Sequence, residues 1–199
     1  MRVTDPHTDV LIGGGAAAGL TASMLLSRLG VDSLLVSSLQ STSVLPKAHV
    51  LHQRTMEILA DLGIADVIYQ RGTPPQHMRY SGWYAGLTGP DPDYGRRFGL
   101  IESWGCGGLS PDWSAASPQR QTNLPQIRLE PILKARAEEL APGKVRFHHE
   151  LTGLSQDTDG VTASVIDHDS GRSYAVRSRY LPARRRQSCI PAAGRTRCR

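Results

Sequence analysis

The stretch Asp9–Leu20 reads DVLIGGGAAAGL and decides the fold class of this chain. Its apolar start predicts a buried strand, and the consecutive glycines that follow predict a tight turn. Ala16–Leu29 has the apolar spacing of a helix, Gly30 stands where such a helix ends, and Val31–Val36 is a second apolar run. Strand, glycine turn, helix and strand in this order open a βαβ unit. We therefore predict an α/β fold with a Rossmann-like dinucleotide-binding domain.

The glycine turn can be aligned with a G-x-G-x-x-G motif in two registers. In that motif the first glycine permits the sharp turn, the second lets a pyrophosphate approach the backbone, and the third lets helix and strand pack closely. One register uses Gly14, Ala16 and Gly19, which puts the Ala16 Cβ where the pyrophosphate should approach. The other starts one residue earlier, with Gly15 second and Ala18 third. The sequence leaves both registers open, and in either one we expect weaker dinucleotide binding than an intact motif gives.

The end of the second predicted strand carries another departure from the motif. An acidic residue about 20 residues after the glycines normally holds the adenosine ribose. This chain has Ser37 and Ser38 there. A serine hydroxyl can bond a ribose hydroxyl, but more weakly than a charged carboxylate does.

Charge and composition exclude several classes of partner. The net charge is +5, with 23 Lys and Arg against 18 Asp and Glu, but six of the arginines lie in residues 182–199, which contain no acid. The rest of the chain is therefore close to neutral, and we expect no nucleic-acid partner. No apolar run is long enough for a membrane helix, so we expect a cytoplasmic protein without a membrane partner. The three cysteines show no metal-ligand spacing, and we predict no metal site.

Beyond the βαβ opening, periodicity predicts helices over Gln53–Leu62, Ile64–Gln70 and Glu130–Leu140, and a strand over Val145–His148. Short aromatic stretches within His77–Trp104 predict strands of an inserted sheet. Leu109–Thr122 predicts a loop because of its prolines and hydroxyl residues. Leu151–Tyr180 predicts antiparallel strands, with turns at Asp159-Gly160 and Ser170-Gly171.

Two longer motifs are more specific than the glycine turn. Residues 46–59 read PKAHVLHQRTMEIL, and residues 123–133 read NLPQIRLEPIL. Both resemble motifs of the FAD-dependent phenol and 2,4-dichlorophenol hydroxylases, which belong to the wider p-hydroxybenzoate hydroxylase class. The resemblance covers residues 8–181. It implies a truncated N-terminal fragment, in which residues 1–181 are a partial FAD-binding domain and residues 77–122 are part of an inserted antiparallel sheet on the substrate side.

The resemblance also implies which residues hold the cofactor. Lys47–Val50 would lie along the flavin, and Gln126 would contact its ribityl region. Lys47 stands where the family usually has arginine, and lysine lacks the planar fork that can bond a partner twice. The candidate cofactor-binding residues are Gly13, Gly14, Gly15, Ala16, Gly19, Ser37, Lys47, Ala48, His49, Val50 and Gln126.

By this resemblance the activity is hydroxylation of a phenolic or polycyclic aromatic substrate with NAD(P)H and O₂. Because the flavin carries the chemistry, we assign no catalytic side chain, and we interpret Arg54 and Glu57 as a solvated helix face. A short-chain nicotinamide dehydrogenase is disfavoured, since none of the six tyrosines has lysine four residues later. An inactive FAD-binding remnant and a fragment of a flavin epoxidase or halogenase remain alternatives. The sequence predicts no oligomeric state.

Residues 182–199 differ abruptly in composition from the rest of the chain. The family carries an Asp-Gly motif just after the strand that ends here in Tyr180-Leu181. Read one nucleotide later, the codons of Arg184–Gln187 can encode Asp-Gly-Gly, which suggests a frameshift. A genuine basic extension is the alternative, and resequencing the DNA distinguishes the two. We expect residues 1–199 to be inactive as a hydroxylase by themselves.

Overall fold

The computed structural model describes residues 6–86 and 88–182. The predicted tail 182–199 therefore lies outside the described residues, except for Pro182. The chain divides into two compact units, which are considered separately. The first unit comprises Met1–Leu45 and Leu129–Arg199, and the second comprises Pro46–Arg128.

The described chain contains both strands and helices. The strands are β1 (His7–Gly13), β2 (Ser33–Ser37), β3 (Val50–Leu51), β4 (Tyr80–Tyr84), β5 (Arg97–Glu102), β6 (Thr122–Asn123), β7 (Val145–Phe147), β8 (His149–Asp157), β9 (Gly160–Asp167) and β10 (Arg172–Tyr180). The helices are α1 (Ala17–Arg28), α2 (Gln53–Asp61), α3 (Ala65–Arg71), α4 (Trp104–Gly108), α5 (Pro111–Ala116) and α6 (Gln126–Leu140), and Pro75–Met78 forms a 3₁₀ turn. None of the described helices is long and apolar enough to cross a membrane.

The first unit is built on a six-stranded sheet with the order β7-β2-β1-β10-β9-β8. β1 is parallel to both β2 and β10, and β2 is parallel to β7. The other pairs, β10 with β9 and β9 with β8, are antiparallel. This mixed sheet with α1 between β1 and β2 confirms the predicted α/β fold and the βαβ opening.

The core of the first unit spans the parallel and the antiparallel parts of the sheet. One buried cluster comprises Leu11, Leu34, Val36, Ala163, Val165 and Val176. Full burial of a leucine or valine stabilises a fold by about 1.5–3 kcal/mol. Packing within this cluster therefore stabilises the contact between the parallel strands and the antiparallel strands of the sheet. α1 adds the buried side chains of Leu20 and Met24. It is followed by the C-cap Leu29 and by Gly30, whose φ of 72° suits the residue after a helix C-cap.

The second unit contains two small antiparallel sheets, β3 with β6 and β4 with β5. The β4–β5 pair matches the strands predicted within His77–Trp104. α4 is not a regular helix, because Gly105, Cys106 and Gly107 all have left-handed backbone with φ between 54° and 74°.

Two predictions about elements were wrong. Leu109–Thr122 was predicted to be a loop, but it contains α5 and the first residue of β6. Pro111 and Asp112 begin α5, and both are favourable in a first helical turn, which outweighs the serines around them. α6 begins at Gln126 instead of Glu130 and continues through Pro131, because packing of Leu129, Ile132 and Leu133 stabilises the helix despite the proline.

Candidate functional site

The glycine turn between β1 and α1 selects one of the two registers. Gly14 has a φ of +120°, which favours glycine for conformational reasons. A Cβ on Gly19 would lie 1.9 Å from the Gly14 carbonyl oxygen, so the helix can approach the turn only with glycine there. Gly14 therefore meets the requirement of the sharp turn, and Gly19 meets the requirement of close helix packing, as in the register of Gly14, Ala16 and Gly19. Ala16, at the second position of that register, is the N-cap of α1.

The neighbouring glycines, Gly13 and Gly15, have different structural roles. A Cβ on Gly15 would lie 2.7 Å from the Phe147 ring and 2.9 Å from the Ser37 Cβ. Gly15 is therefore required by packing within the sheet layer. Gly13 ends β1, and its N–H donates to the Pro182 carbonyl at 2.9 Å. The sequence did not reveal the Phe147 contact, because it joins segments far apart in the chain.

Ser37 is the last residue of β2 and is buried. Its Oγ accepts the N–H of Leu39 at 3.4 Å. A hydroxyl that accepts one hydrogen bond can still donate its proton, so the predicted neutral contact to a ribose is chemically available.

Glu130 is the residue of this region that the sequence reasoning missed. Its side chain is 1% exposed, yet it is a carboxylate. Oε1 accepts the N–H of Ala17, the first residue of α1, at 3.2 Å, and Oε2 accepts the N–H of Ser43 at 2.6 Å. Hydrogen bonds from backbone N–H groups, one of them at a helix N-terminus, compensate for burial of the charge. The signal available in the sequence was a single acid within the apolar run LEPIL.

In the second unit, the structure brings the two long sequence motifs together. β3 pairs antiparallel with β6, with Val50 opposite Asn123. The N–H of Gln126 donates to the Ala48 carbonyl at 3.0 Å, and the N–H of Leu124 donates to the His49 carbonyl at 2.7 Å. These contacts fix the backbone of the segment predicted to lie along the flavin.

The side chains of that segment point to a surface. Lys47, Ala48 and His49 are exposed and Val50 is half-buried. His49 Nδ1 lies 3.1 Å from Asn123 Oδ1, which orients the imidazole. Asn123 was part of the quoted motif, but nothing in the residue pattern identified it as the partner of His49.

The predicted site residues thus fall into two groups. Gly13, Gly14, Gly15, Ala16, Gly19 and Ser37 lie in the first unit, around the start of α1 and the end of β2. Lys47, Ala48, His49, Val50 and Gln126 lie in the second unit, around β3 and the start of α6. Within each unit the members are close together in space.

Arg54 and Glu57 on α2 form an ion pair at 2.7 Å, and the Arg54 side chain is 80% exposed. Glu57 Oε1 also accepts the hydroxyl of Ser117 at 2.6 Å. Hydrogen bonds from Ser117 and Arg54 lower the pKa of Glu57 below its ordinary value. Glu57 therefore anchors a neighbouring segment as well as facing solvent.

A histidine cluster lies at the β8–β9 edge of the sheet. His148 pairs with Asp169 at 2.6 Å, and His168 pairs with Glu150 at 2.9 Å. Burial lowers the pKa of His149, whose Nδ1 lies 2.9 Å from the Tyr174 hydroxyl and whose Nε2 lies 3.9 Å from Asp167. Among the described residues, no group of three or more His, Cys, Asp or Glu could hold a metal ion.

Comparisons with known proteins agree with these observations. The family described as FAD binding domain matches residues 7–183. The 2,4-dichlorophenol 6-monooxygenase of Delftia acidovorans is 36% identical over 181 residues, which are 90% of this chain and 30% of that protein. The phenol 2-monooxygenase of Pseudomonas sp. (strain EST1001) is 33% identical over 176 residues, or 88% of this chain and 28% of that protein.

A solved structure of a flavin-dependent monooxygenase is also similar to this chain. The flavin-dependent monooxygenase PieE, in complex with FAD and substrate, superposes with a TM-score of 0.78 and 42% sequence identity. The match covers 89% of this chain and 30% of that one. The chain thus spans about 30% of the length of the relatives that it matches.

Proposed function

Because the chain belongs to the family of FAD binding domains, we propose that it binds FAD at the start of α1 and so serves a monooxygenase that acts on phenolic compounds. The observation that carries the proposal is the turn of Gly14 and Gly19, which brings the first turn of α1 against the end of β1. The N–H groups and the positive dipole end of such a helix start suit a pyrophosphate.

The residues of the first unit fit this cofactor, with two weakened positions. Gly14 has nothing within 4 Å of a notional Cβ, so the turn leaves room for a ligand. Ala16 carries a methyl group where the motif has hydrogen, and Ser37 offers a neutral hydroxyl where the motif has a carboxylate. We therefore propose binding at the usual place with reduced affinity.

In the second unit, we propose that Lys47–Val50 and Gln126 bind and orient the flavin end of the cofactor. Their backbones are tied together by the β3–β6 pair and by the bond from Gln126 to Ala48, so the segment is preorganised. Lys47 would supply a positive charge, and Gln126 an amide, to the polar atoms of the cofactor. The chemistry that the flavin supplies is acceptance of a hydride from NAD(P)H and activation of O₂.

The activity of the whole protein is proposed from the names of the relatives. The relatives that act on 2,4-dichlorophenol and on phenol are about one third identical to this chain along nearly all of it. We propose a small phenolic or polycyclic aromatic substrate, with NAD(P)H as the reductant. The residues described here bind the cofactor, and we assign none of them a catalytic proton transfer.

The first test is FAD binding by the 199-residue chain. We expect the purified protein to retain flavin absorbance after desalting, or to quench the fluorescence of added FAD with saturation. Ala16→Asp, which places a carboxylate at the N-cap of α1 beside the proposed pyrophosphate position, should abolish binding while the helix persists, because aspartate is a favourable N-cap residue. Asp66→Asn on α3 is the surface control. Saturable binding of NAD⁺ without any FAD binding would instead favour a dehydrogenase and contradict the proposal.

The second test is turnover with NAD(P)H, O₂ and a series of phenols. We expect no hydroxylated product from residues 1–199 alone, and hydroxylated product from an enzyme in which this segment replaces the matching part of the Delftia acidovorans relative. A chimaera that folds and binds FAD but oxidises no phenol would contradict the proposed reaction while leaving cofactor binding intact.

A further inference from the structure

Glu130 connects two backbone segments that border the cofactor site proposed above. One segment is the first turn of α1, which begins at Ala17, and the other is the loop of residues 38–45 that follows β2. One carboxylate oxygen accepts a bond from each segment, at 3.2 Å from Ala17 N and 2.6 Å from Ser43 N. We call this arrangement the Glu130 bridge.

The loop of residues 38–45 is exposed along most of its length. Three of its apolar side chains are exposed, with Leu39 at 47%, Val44 at 80% and Leu45 at 58%. Near its start, the Leu39 carbonyl accepts the N–H of His148 at 2.8 Å. The Ser43 hydroxyl bonds within the loop, to the backbone of Leu45. Because apolar burial contributes little, hydrogen bonds must fix the loop. The bond from Ser43 to Glu130 connects the centre of the loop to α6.

The bridge needs a carboxylate specifically. An ionised carboxylate has two acceptor oxygens, so it can accept from both N–H groups at once. An amide of the same shape has one acceptor oxygen and one NH₂ group. In Glu130→Gln that NH₂ would face either the Ala17 or the Ser43 N–H, donor against donor. The residue is also too deeply buried for water to replace the lost acceptor, since its side chain is 1% exposed.

We propose that Glu130 is a positioning residue for the dinucleotide site, which sets the start of α1 against the loop after β2. The inference rests on the proposed function, since it assigns the two segments to the phosphate and nucleoside sides of bound FAD. Glu130 does not touch the cofactor in this proposal. It holds Ala17 and Ser43 in the binding-competent arrangement before FAD arrives. FAD binding then does not carry the entropy cost of ordering the loop.

The test compares Glu130→Gln with Glu138→Gln in the full chain. Glu138 lies on the same helix, pairs with Lys134 at 2.7 Å and is 43% exposed, so its substitution is a matched control. We expect Glu130→Gln to weaken FAD binding about tenfold or more, as loss of a buried charged hydrogen bond implies. Glu138→Gln should change the dissociation constant by less than about twofold, because exposed pairs contribute little.

Amide hydrogen exchange gives a readout that does not depend on FAD. Glu130→Gln should accelerate exchange at Ala17 or Ser43, while amides in β9 and β10 keep their wild-type rates. Unchanged exchange at both amides, or unchanged FAD affinity in Glu130→Gln, would overturn the proposal. If the wild-type chain binds no FAD, the proposed function fails. In that case the exchange rates of Ala17 and Ser43 alone test whether Glu130 holds the two segments.

A second pair of variants covers the case in which Glu130→Gln does not fold. Ser43→Pro removes the N–H that donates to Glu130 from an exposed loop, and Ser43→Ala removes only the hydroxyl. We expect Ser43→Pro to weaken FAD binding and Ser43→Ala to leave it close to wild type. Equal affinities for the two variants would overturn the proposal.

Discussion

The N–H of Gln126 donates to the carbonyl of Ala48 at 3.0 Å and thereby joins two motifs that are far apart in the sequence. Gln126 is the first residue of α6, and Ala48 lies two residues before β3. The bond continues the ladder formed by β3 and β6. The first residue of α6 therefore fixes the backbone of the exposed segment around Lys47. Main-chain bonds therefore hold the exposed segment that we propose to lie along the flavin.

We predict that Gln126→Pro destabilises this arrangement more than Gln126→Ala does. Both variants lose the side chain and only the proline also loses the N–H, so the difference between them reports the backbone bond. Proline is tolerated at the first position of a helix, so α6 should persist, but the N–H to Ala48 is lost. The expected cost is about 0.5–1.5 kcal/mol in the free energy of unfolding, measured by urea denaturation. Faster exchange of the Leu124 amide should accompany it. Equal stability of the two variants would mean that the Gln126–Ala48 bond contributes nothing.

The βαβ opening and the three antiparallel strands at the end of the described chain were predictable because their signals are local. The apolar run before Gly13 and the turns at Asp159-Gly160 and Ser170-Gly171 each define an element within a few residues. Strand and helix periods then determine which face of each element is buried. The short turns also account for the pairing of β9 with β8 and with β10, whereas the places of β10 beside β1 and of β7 beside β2 join segments far apart in the chain.

The contacts around the site could not be predicted, because each joins residues far apart in the chain. Phe147 makes glycine necessary at position 15, and Glu130 bonds to Ala17 across more than a hundred residues. The left-handed turn at Trp104 is equally hidden, since non-glycine residues adopt it only under tertiary constraint. The motif resemblance identified Gln126 and His49 as candidates but gave no partner for either.

We predict a clear order of destabilisation among glycine substitutions in the first unit. Gly19→Ala puts a Cβ 1.9 Å from a backbone oxygen that cannot move without displacing the turn, so we expect about 3 kcal/mol or more. Gly15→Ala meets the Phe147 ring, which can turn, and should cost about 1–2 kcal/mol. Urea denaturation measures both.

Gly30→Ala is the control for these substitutions. Its φ is +72° but a Cβ there has open space, so only the conformational cost of about 1 kcal/mol is expected. Adding Phe147→Leu to Gly15→Ala should recover part of the lost stability. The packing argument fails if Gly19→Ala is no less stable than Gly30→Ala.

We predict that Ala16→Gly tightens FAD binding and Ala18→Gly does not. Removing the Ala16 methyl restores the second glycine of the register that Gly14 and Gly19 define, and an effect of about tenfold would correspond to about 1.4 kcal/mol. Ala18 is exposed within α1, so glycine there should only lower stability, by about 0.5–1 kcal/mol. Flavin fluorescence titration measures the affinities. Tighter binding in Ala18→Gly alone would instead identify the earlier register as the functional one.

The ion pair between Asp157 and Arg177 predicts a pH-dependent contribution to stability. Two bonds, at 2.8 and 2.6 Å, join the guanidinium to both carboxylate oxygens, and they lower the pKa of Asp157 from 3.8 to about 2. Because the folded-state pKa of Asp157 lies below the unfolded one, this stabilisation is present above about pH 4 and is lost as the pH falls towards about 2.

Asp157→Asn should therefore lower the urea midpoint near neutral pH, and its difference from wild type should shrink through that acid range. Thr158→Ala, an uncharged exposed residue of the same turn, is the control, and its difference from wild type should not vary through that range. A difference that persists unchanged at about pH 2 would show that the turn geometry of residue 157, and not its charge, is responsible.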